Sequence, residues 1–136
     1  MSNPLDIGAL TLGGTVAEGR ARAGLPDDPK GRKDIPLCTG VLDYFPDALI
    51  EVAKCSKAGN DQHNPGQPLH WAKEKSTDHA NCILRHQVQR GTRDKDGVLH
   101  SAKVAWRALA QLQIELDGMK SAAHHNGVGS GNPRRP

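Results

Sequence analysis

Apolar positions recur at helical spacing in three separate stretches of the chain, each with its own start and stop signals. The first begins near Pro46, a residue suited to a first helical turn, with Asp47 favourable at the positive end of the helix dipole. Ala48, Leu49, Val52 and Ala53 share its apolar face, Glu51 lies off that face, and Gly59 closes the pattern. The second is predicted to start at Ser76 or Thr77, either of which caps a helix, and to stop at Gly91. Ala80, Ile83, Leu84, Gln87 and Val88 form one side of it. His79, Cys82, His86 and Gln89 make the stripe beside that side, with Asp78 and Arg85 just beyond. The third runs from about Val98 to Asp117 and stops at Gly118. Ala102, Ala105, Trp106, Leu109, Leu112 and Leu116 give it a wide apolar face, while His100, Lys103, Arg107 and Gln111 line another side. The pattern predicts a small all-α helical bundle.

Outside these stretches the periodicity fades. Residues 1–34 read as a loosely ordered arm, residues 35–118 as the helical domain, and residues 119–136 as a flexible tail. The arm contains LDIGALTLGGTV at 5–16, which has strand character interrupted by Gly8, Gly13 and Gly14. Between the first two helices lies GNDQHNPGQPLHW, from Gly59 to Trp71. Its prolines and glycines oppose regular structure, yet it concentrates polar side chains and a tryptophan. Ordering such a loop is costly unless its side chains make specific contacts.

Composition sharpens this picture. With 36% apolar and only 3% aromatic residues, the core must be small and aliphatic. The formal charge of +3 comes entirely from Lys120, Arg134 and Arg135, beyond the last acidic residue. The preceding chain is balanced, so a basic face able to neutralise several phosphates of a polynucleotide is not expected. Short apolar helix faces call for a second copy to cover them, so a homo-oligomer, dimer or higher, is expected. Cys38, Cys55 and Cys82 form no paired metal-binding motif and suit reduced thiols in a cytoplasm. No segment has the length or apolarity of a signal peptide or a membrane span.

Candidate chemistry gathers between residues 51 and 107, where five of the seven histidines lie between 63 and 100. Carboxylates suit Mg²⁺ or Mn²⁺, and imidazoles suit Mn²⁺ or a transition metal, or donate to phosphate oxygens. Lys103 and Arg107, one turn apart beside His100, offer a cationic wall for phosphate. Asp94 and Asp96 occupy the connection before Gly97, where they also serve as ordinary turn residues. No serine-hydrolase elbow, phosphate-binding P-loop or HExxH motif is present.

Four segments in this order, LDYFPDALIEVAK, GNDQHNPGQPLHW, DHANCILRHQVQRG and DGVLHSAKVAWRALAQLQIELD, resemble a phage and prophage family. It is the dATP/dGTP diphosphohydrolase N-terminal domain family. The resemblance spans about residues 35–117. It implies a MazG-like, all-α nucleotide pyrophosphohydrolase that removes diphosphate from a purine deoxynucleotide with a divalent metal, usually as a dimer or tetramer. On that reading Glu51, Asp78 and Asp96 hold Mg²⁺ or Mn²⁺, with His86 and His100 as further ligands or donors to the triphosphate. Glu51, Asp78, His86 and His100 are then the catalytic set. Arg85, Lys103 and Arg107 neutralise charge on the leaving diphosphate, and Asn60, His63, Asn64 and Trp71 recognise base or sugar. The chain departs from the MazG pattern of paired carboxylates: Glu51 is followed by Lys54, Glu74 by Thr77, and Asp78 by Asn81. Lys103 stands where many relatives carry a histidine. These departures support a second expectation, a nucleotide-binding protein without turnover that sequesters a nucleotide or a defence second messenger.

Overall fold

The structure is a computed structural model that describes residues 24–126. Its α-helices are α1 (Pro29–Lys33), α2 (Pro46–His63), α3 (His79–Val88) and α4 (His100–Asn126). A π-helical turn, Cys38–Leu42, follows α1, and a 3₁₀ turn, Lys73–Lys75, precedes α3. No strand occurs among the described residues; a single antiparallel bridge joins Arg93 to Leu99. The expected all-α class is what the chain adopts.

The chain divides into two compact units, Met1–Tyr44 and Phe45–Pro136. In the first, Asp28 caps α1 by accepting from Gly31 N at 2.7 Å, and Pro29 opens the helix. The second unit holds α2, α3 and α4, and both shorter helices pack on α4.

Two helices run past the glycines expected to stop them. Helix α2 continues through Gly59 to His63, and α4 continues through Gly118 to Asn126, into the stretch expected to be a flexible tail. A glycine inside a helix costs only about 1 kcal/mol, so neighbouring contacts decide. At α2 the deciding contact is Asn60, which is buried. Its side chain donates to Gln67 O at 3.1 Å and accepts from His70 N at 3.0 Å, which ties the following loop back onto the helix. Gly66, at φ 73°, supplies the left-handed turn that this return requires. The loop then docks on α4 through Trp71, whose ring meets Trp106 edge-on at 5.6 Å, and through an ion pair of Lys73 with Asp117 at 2.8 Å. Residues 1–23 and 127–136, including the strand-like 5–16 segment, lie outside the described residues.

Helix α3 differs more. It begins at His79, not at Ser76 or Thr77, and it ends at Val88. Its burial is also turned from the expected face: His79 is buried and Cys82, Ile83 and His86 are half-buried, while Leu84 and Val88 are 64% and 81% exposed. The polar stripe faces α4. On α4, Ala102 and Ala110 are buried and Trp106 half-buried, whereas Leu109, Leu112 and Leu116 remain exposed.

Removing the Asn60 side chain leaves two backbone groups of the loop without partners. Such losses cost about 1–3 kcal/mol each. Asn60→Ala is therefore expected to lower the unfolding free energy by roughly 2–4 kcal/mol in urea; a change below about 0.5 kcal/mol would show that the loop is held elsewhere.

Candidate functional site

The connection between α3 and α4 folds back on itself before the site begins. Asp94 N donates to Val98 O at 2.9 Å, Gly97 N to Asp94 O at 2.9 Å, and His100 N to Thr92 O at 3.0 Å. Gly97, at φ 80°, allows the tight reversal. The first residue of α4 is thereby set against the last turn of α3, and the two helices run antiparallel.

Their shared seam is polar. His86 and His100 meet Nδ1 to Nδ1 at 2.9 Å, with ring centroids 5.2 Å apart. Seven residues back along α3 and seven forward along α4, His79 Nδ1 lies 3.4 Å from Arg107 Nη1, which also donates to Ser76 Oγ at 2.8 Å. Seven residues are close to two helical turns, so the same face of each helix meets its counterpart twice. Between the two contacts Lys103 donates to Asp94 Oδ2 at 2.8 Å and to Asp96 Oδ2 at 2.6 Å.

The electrostatics follow from this geometry. The Lys103 ammonium and then the Lys95 backbone N–H hold the Asp94 carboxyl at about 2. Asp96 is lowered as well, chiefly by Lys103. Burial works against the Lys103 ammonium, but the two carboxylates together raise its pKa. Burial, then the charge of Lys103, lowers His86 and favours its neutral imidazole. His79 is lowered by burial and by Arg107, and its Nε2 is buried with no hydrogen-bond partner among the described residues.

The structure thus brings together His86, His100, Lys103 and Asp96, with Arg107 one turn further along α4. It places the other expected residues elsewhere. Glu51 is bound by Lys54 of its own helix at 2.7 Å, which is the main reason its carboxyl is lowered. Asp78 is held by Arg85 at 2.8 Å and by Asn81 at 2.7 Å, so Arg85 is engaged too. Asn60 spends its amide on the loop. His63 and Asn64 close the C-terminal end of α2, and Trp71 sits against Trp106. Asp94, His79 and Ser76 are the residues that the sequence reading left out of the site. Their signal was the equal spacing of His79/His86 and His100/Arg107, together with the turn residues between them. Cys55 is raised by burial and stays a thiol.

Among the described residues, one group of ligand-type side chains is close enough to hold a metal ion. It consists of His86, Asp94 and His100, with one donor atom from each lying within 4.8 Å of the others. Beside Arg107, whose guanidinium lies 5.7 Å from the Trp106 ring centre, a groove of about 370 Å³ opens between α2 and α4. Leu49, Val52, Ser56, Trp71, Trp106 and Gln113 contribute to its walls.

A family profile described as dATP/dGTP diphosphohydrolase, N-terminal, matches residues 27–123. The chain belongs to this family. The name of the dATP/dGTP diphosphohydrolase family describes nucleotide pyrophosphohydrolases, and the match includes every residue of the seam. It ends at Ala123, beyond Gly118, so most of the extension of α4 is part of the matched domain. Comparison with curated proteins and with solved structures found no match.

The lowered carboxyl of Asp94 fixes a pH dependence. A carboxyl whose folded pKa lies below its unfolded value of about 3.9 adds stability that is complete above that value. The contribution is lost as pH falls toward the folded value of about 2. In Lys103→Met, the Asp94 titration followed by carboxyl ¹³C shifts is expected to move upward toward the ordinary range. A midpoint still near 2 would contradict the pairing.

Proposed function

We propose that the protein binds a purine deoxynucleoside triphosphate and hydrolyses it to the monophosphate and diphosphate. The observation that carries this reading is Arg107. It is half-buried, has no carboxylate partner among the described residues, and donates to the Ser76 hydroxyl beside two tryptophans. A guanidinium without a direct carboxylate pair suits a phosphate, and the neighbouring groove suits a flat, largely apolar base. Trp71 and Gln113 then face the base, and Arg107 the phosphates. Lys103, one turn away on the same side of α4, is taken up by Asp94 and Asp96, so Arg107 carries the phosphate role without it.

The family reading adds a divalent cation. Mg²⁺ takes oxygen ligands, and the carboxylates Glu51, Asp78 and Asp96 are each held by a lysine or arginine. That donor set does not fit Mg²⁺. A cation that accepts imidazole beside carboxylate, such as Mn²⁺, fits His86, Asp94 and His100. When bound it would polarise a phosphoryl oxygen. His86 is disfavoured in its charged form by burial and by Lys103, so its nitrogen remains available as a ligand or a proton acceptor at neutral pH.

The same pairing of carboxylates favours a second reading, capture of a nucleotide without turnover. Purified protein incubated with a nucleotide panel and Mn²⁺ separates the two. Hydrolysis releases diphosphate from dATP or dGTP. Capture retains intact nucleotide, and neither outcome refutes both. Arg107→Met is expected to weaken nucleotide affinity roughly 10- to 150-fold, the equivalent of about 1.5–3 kcal/mol for a hydrogen bond to a charged group. Unchanged affinity would remove Arg107 from the site.

The protein acts as a homo-oligomer of at least two copies, in a reducing cytoplasm that keeps its cysteines free. No large side chain among the described residues is fully buried, and Leu84, Val88, Leu109, Leu112 and Met119 are at least half exposed. A second copy covers such a surface. Light scattering at micromolar concentration is expected to give at least twice the 14.6 kDa of one chain; a monomeric mass would contradict this.

A further inference from the structure

The seam between α3 and α4 holds two donors that point at one another. In a hydrogen bond between two Nδ1 atoms only one carries the proton, so the other presents a lone pair. Without that proton, both lone pairs converge on one point. The separation of 2.9 Å is somewhat short of the roughly 3.4 Å between tetrahedral ligands around a cation with bonds of about 2.1 Å, a gap that a slight rotation of the rings closes. Asp94 brings a carboxylate oxygen into the same group, all three donors lying within 4.8 Å. Both imidazoles stand on helices, and His100 is 5% exposed with its backbone N–H bound to Thr92 O. Such donors are held in place before any ion arrives.

The charge balance also favours a cation. Asp94 and Asp96 together carry two negative charges against the single ammonium of Lys103. The cluster therefore keeps one excess negative charge even with the lysine in place. Two imidazoles and one carboxylate, with positions left open, form the donor set that borderline first-row divalent cations take in preference to Mg²⁺.

We propose that His86, Asp94 and His100 bind a borderline divalent cation such as Zn²⁺ or Co²⁺, and that Lys103 is its internal competitor for Asp94. In the metal-free protein the ammonium bridges Asp94 and Asp96. When the ion binds, Asp94 turns to it and Lys103 stays with Asp96, its shorter contact at 2.6 Å. Asp96 is then the carboxylate on which the lysine rests. The site shares its ligands with the proposed enzyme but requires neither nucleotide nor turnover, so it stands even if the nucleotide reading fails.

The test uses the full chain after chelator treatment, with His124 and His125 replaced by alanine because exposed neighbouring imidazoles at the end of α4 bind Co²⁺ adventitiously. Co²⁺ is titrated without nucleotide and followed by its visible absorption, and Zn²⁺ by calorimetry. One Co²⁺ per chain is expected, without a thiolate charge-transfer band, and with no competition from equimolar Mg²⁺. His86→Gln and Asp94→Asn, checked for unchanged far-ultraviolet dichroism, are expected to weaken Co²⁺ binding at least about tenfold, the lower end of the effect of losing a supporting residue around a metal. Lys103→Met is expected to tighten it by about tenfold, because a like charge beside the ion is removed. The proposal is overturned if stripped protein binds no Co²⁺, if Mg²⁺ competes equally, or if affinity is the same in wild type and in both ligand variants. Binding to Lys103→Met no tighter than to wild type would overturn the competitor role. Because nucleotide is absent throughout, a failure here leaves the Arg107 experiment to judge the nucleotide reading by itself.

Discussion

A hydrogen bond between two imidazoles, His86 to His100, sets the register of α3 against α4, and most of the site follows from that register. Once these rings meet at the closed end of the hairpin, antiparallel geometry and a step of seven residues bring His79 to Arg107. Lys103 falls midway and pairs with both carboxylates of the connecting turn. Buried polar groups need partners, and this seam supplies them in pairs. An apolar seam would tolerate a shift by a turn at modest cost. A polar one does not, because each slipped pairing strands a donor or an acceptor. His79 Nε2 is the exception, a buried nitrogen whose partner is not among the described residues.

The functional reading grows from the same arrangement. The carboxylates are matched with cations: Glu51 with Lys54, Asp78 with Arg85, and Asp94 and Asp96 with Lys103. Arg107 is matched with neutral groups instead, Ser76 and an imidazole that burial keeps from charging. Positive charge is therefore available beside the tryptophan-walled groove, and a mixed nitrogen and oxygen donor set stands two turns away at the end of α4. The groups proposed for metal and phosphate stand along one helix, over about 10 Å at 1.5 Å per residue from His100 to Arg107.

The helices were legible in the sequence because Pro46, the apolar periodicity and the turn residues of TRDKDG are local signals. The inward face of α3 was not. Leu84 and Val88 carry the larger hydrophobicity, and the usual rule turns them inward. The facing side of α4 at that level is His100, Lys103 and Arg107, however, and only a polar stripe can pair with it. Gly59 and Gly118 misled for a related reason: a glycine weakens a helix slightly, and the Asn60 clamp that carries α2 onward is a contact across ten residues. For the site, the histidine stripes of α3 and α4 were visible as stripes, and their convergence was expected. Glu51 and Asp78 failed to join them because each has a cation within seven residues on or beside its own helix. Asp94 was hidden by its ordinary role in a turn.

The central claim is that His86 and His100 share one proton between their Nδ1 atoms and so lock the seam. Nitrogen NMR of metal-free protein with ¹⁵N-labelled histidine tests it directly. One Nδ1–H and one bare Nδ1 are expected, joined by a resolved coupling across the hydrogen bond that disappears when either histidine is replaced. Two rings both protonated on Nε2, with no coupling between their Nδ1 atoms, would contradict it.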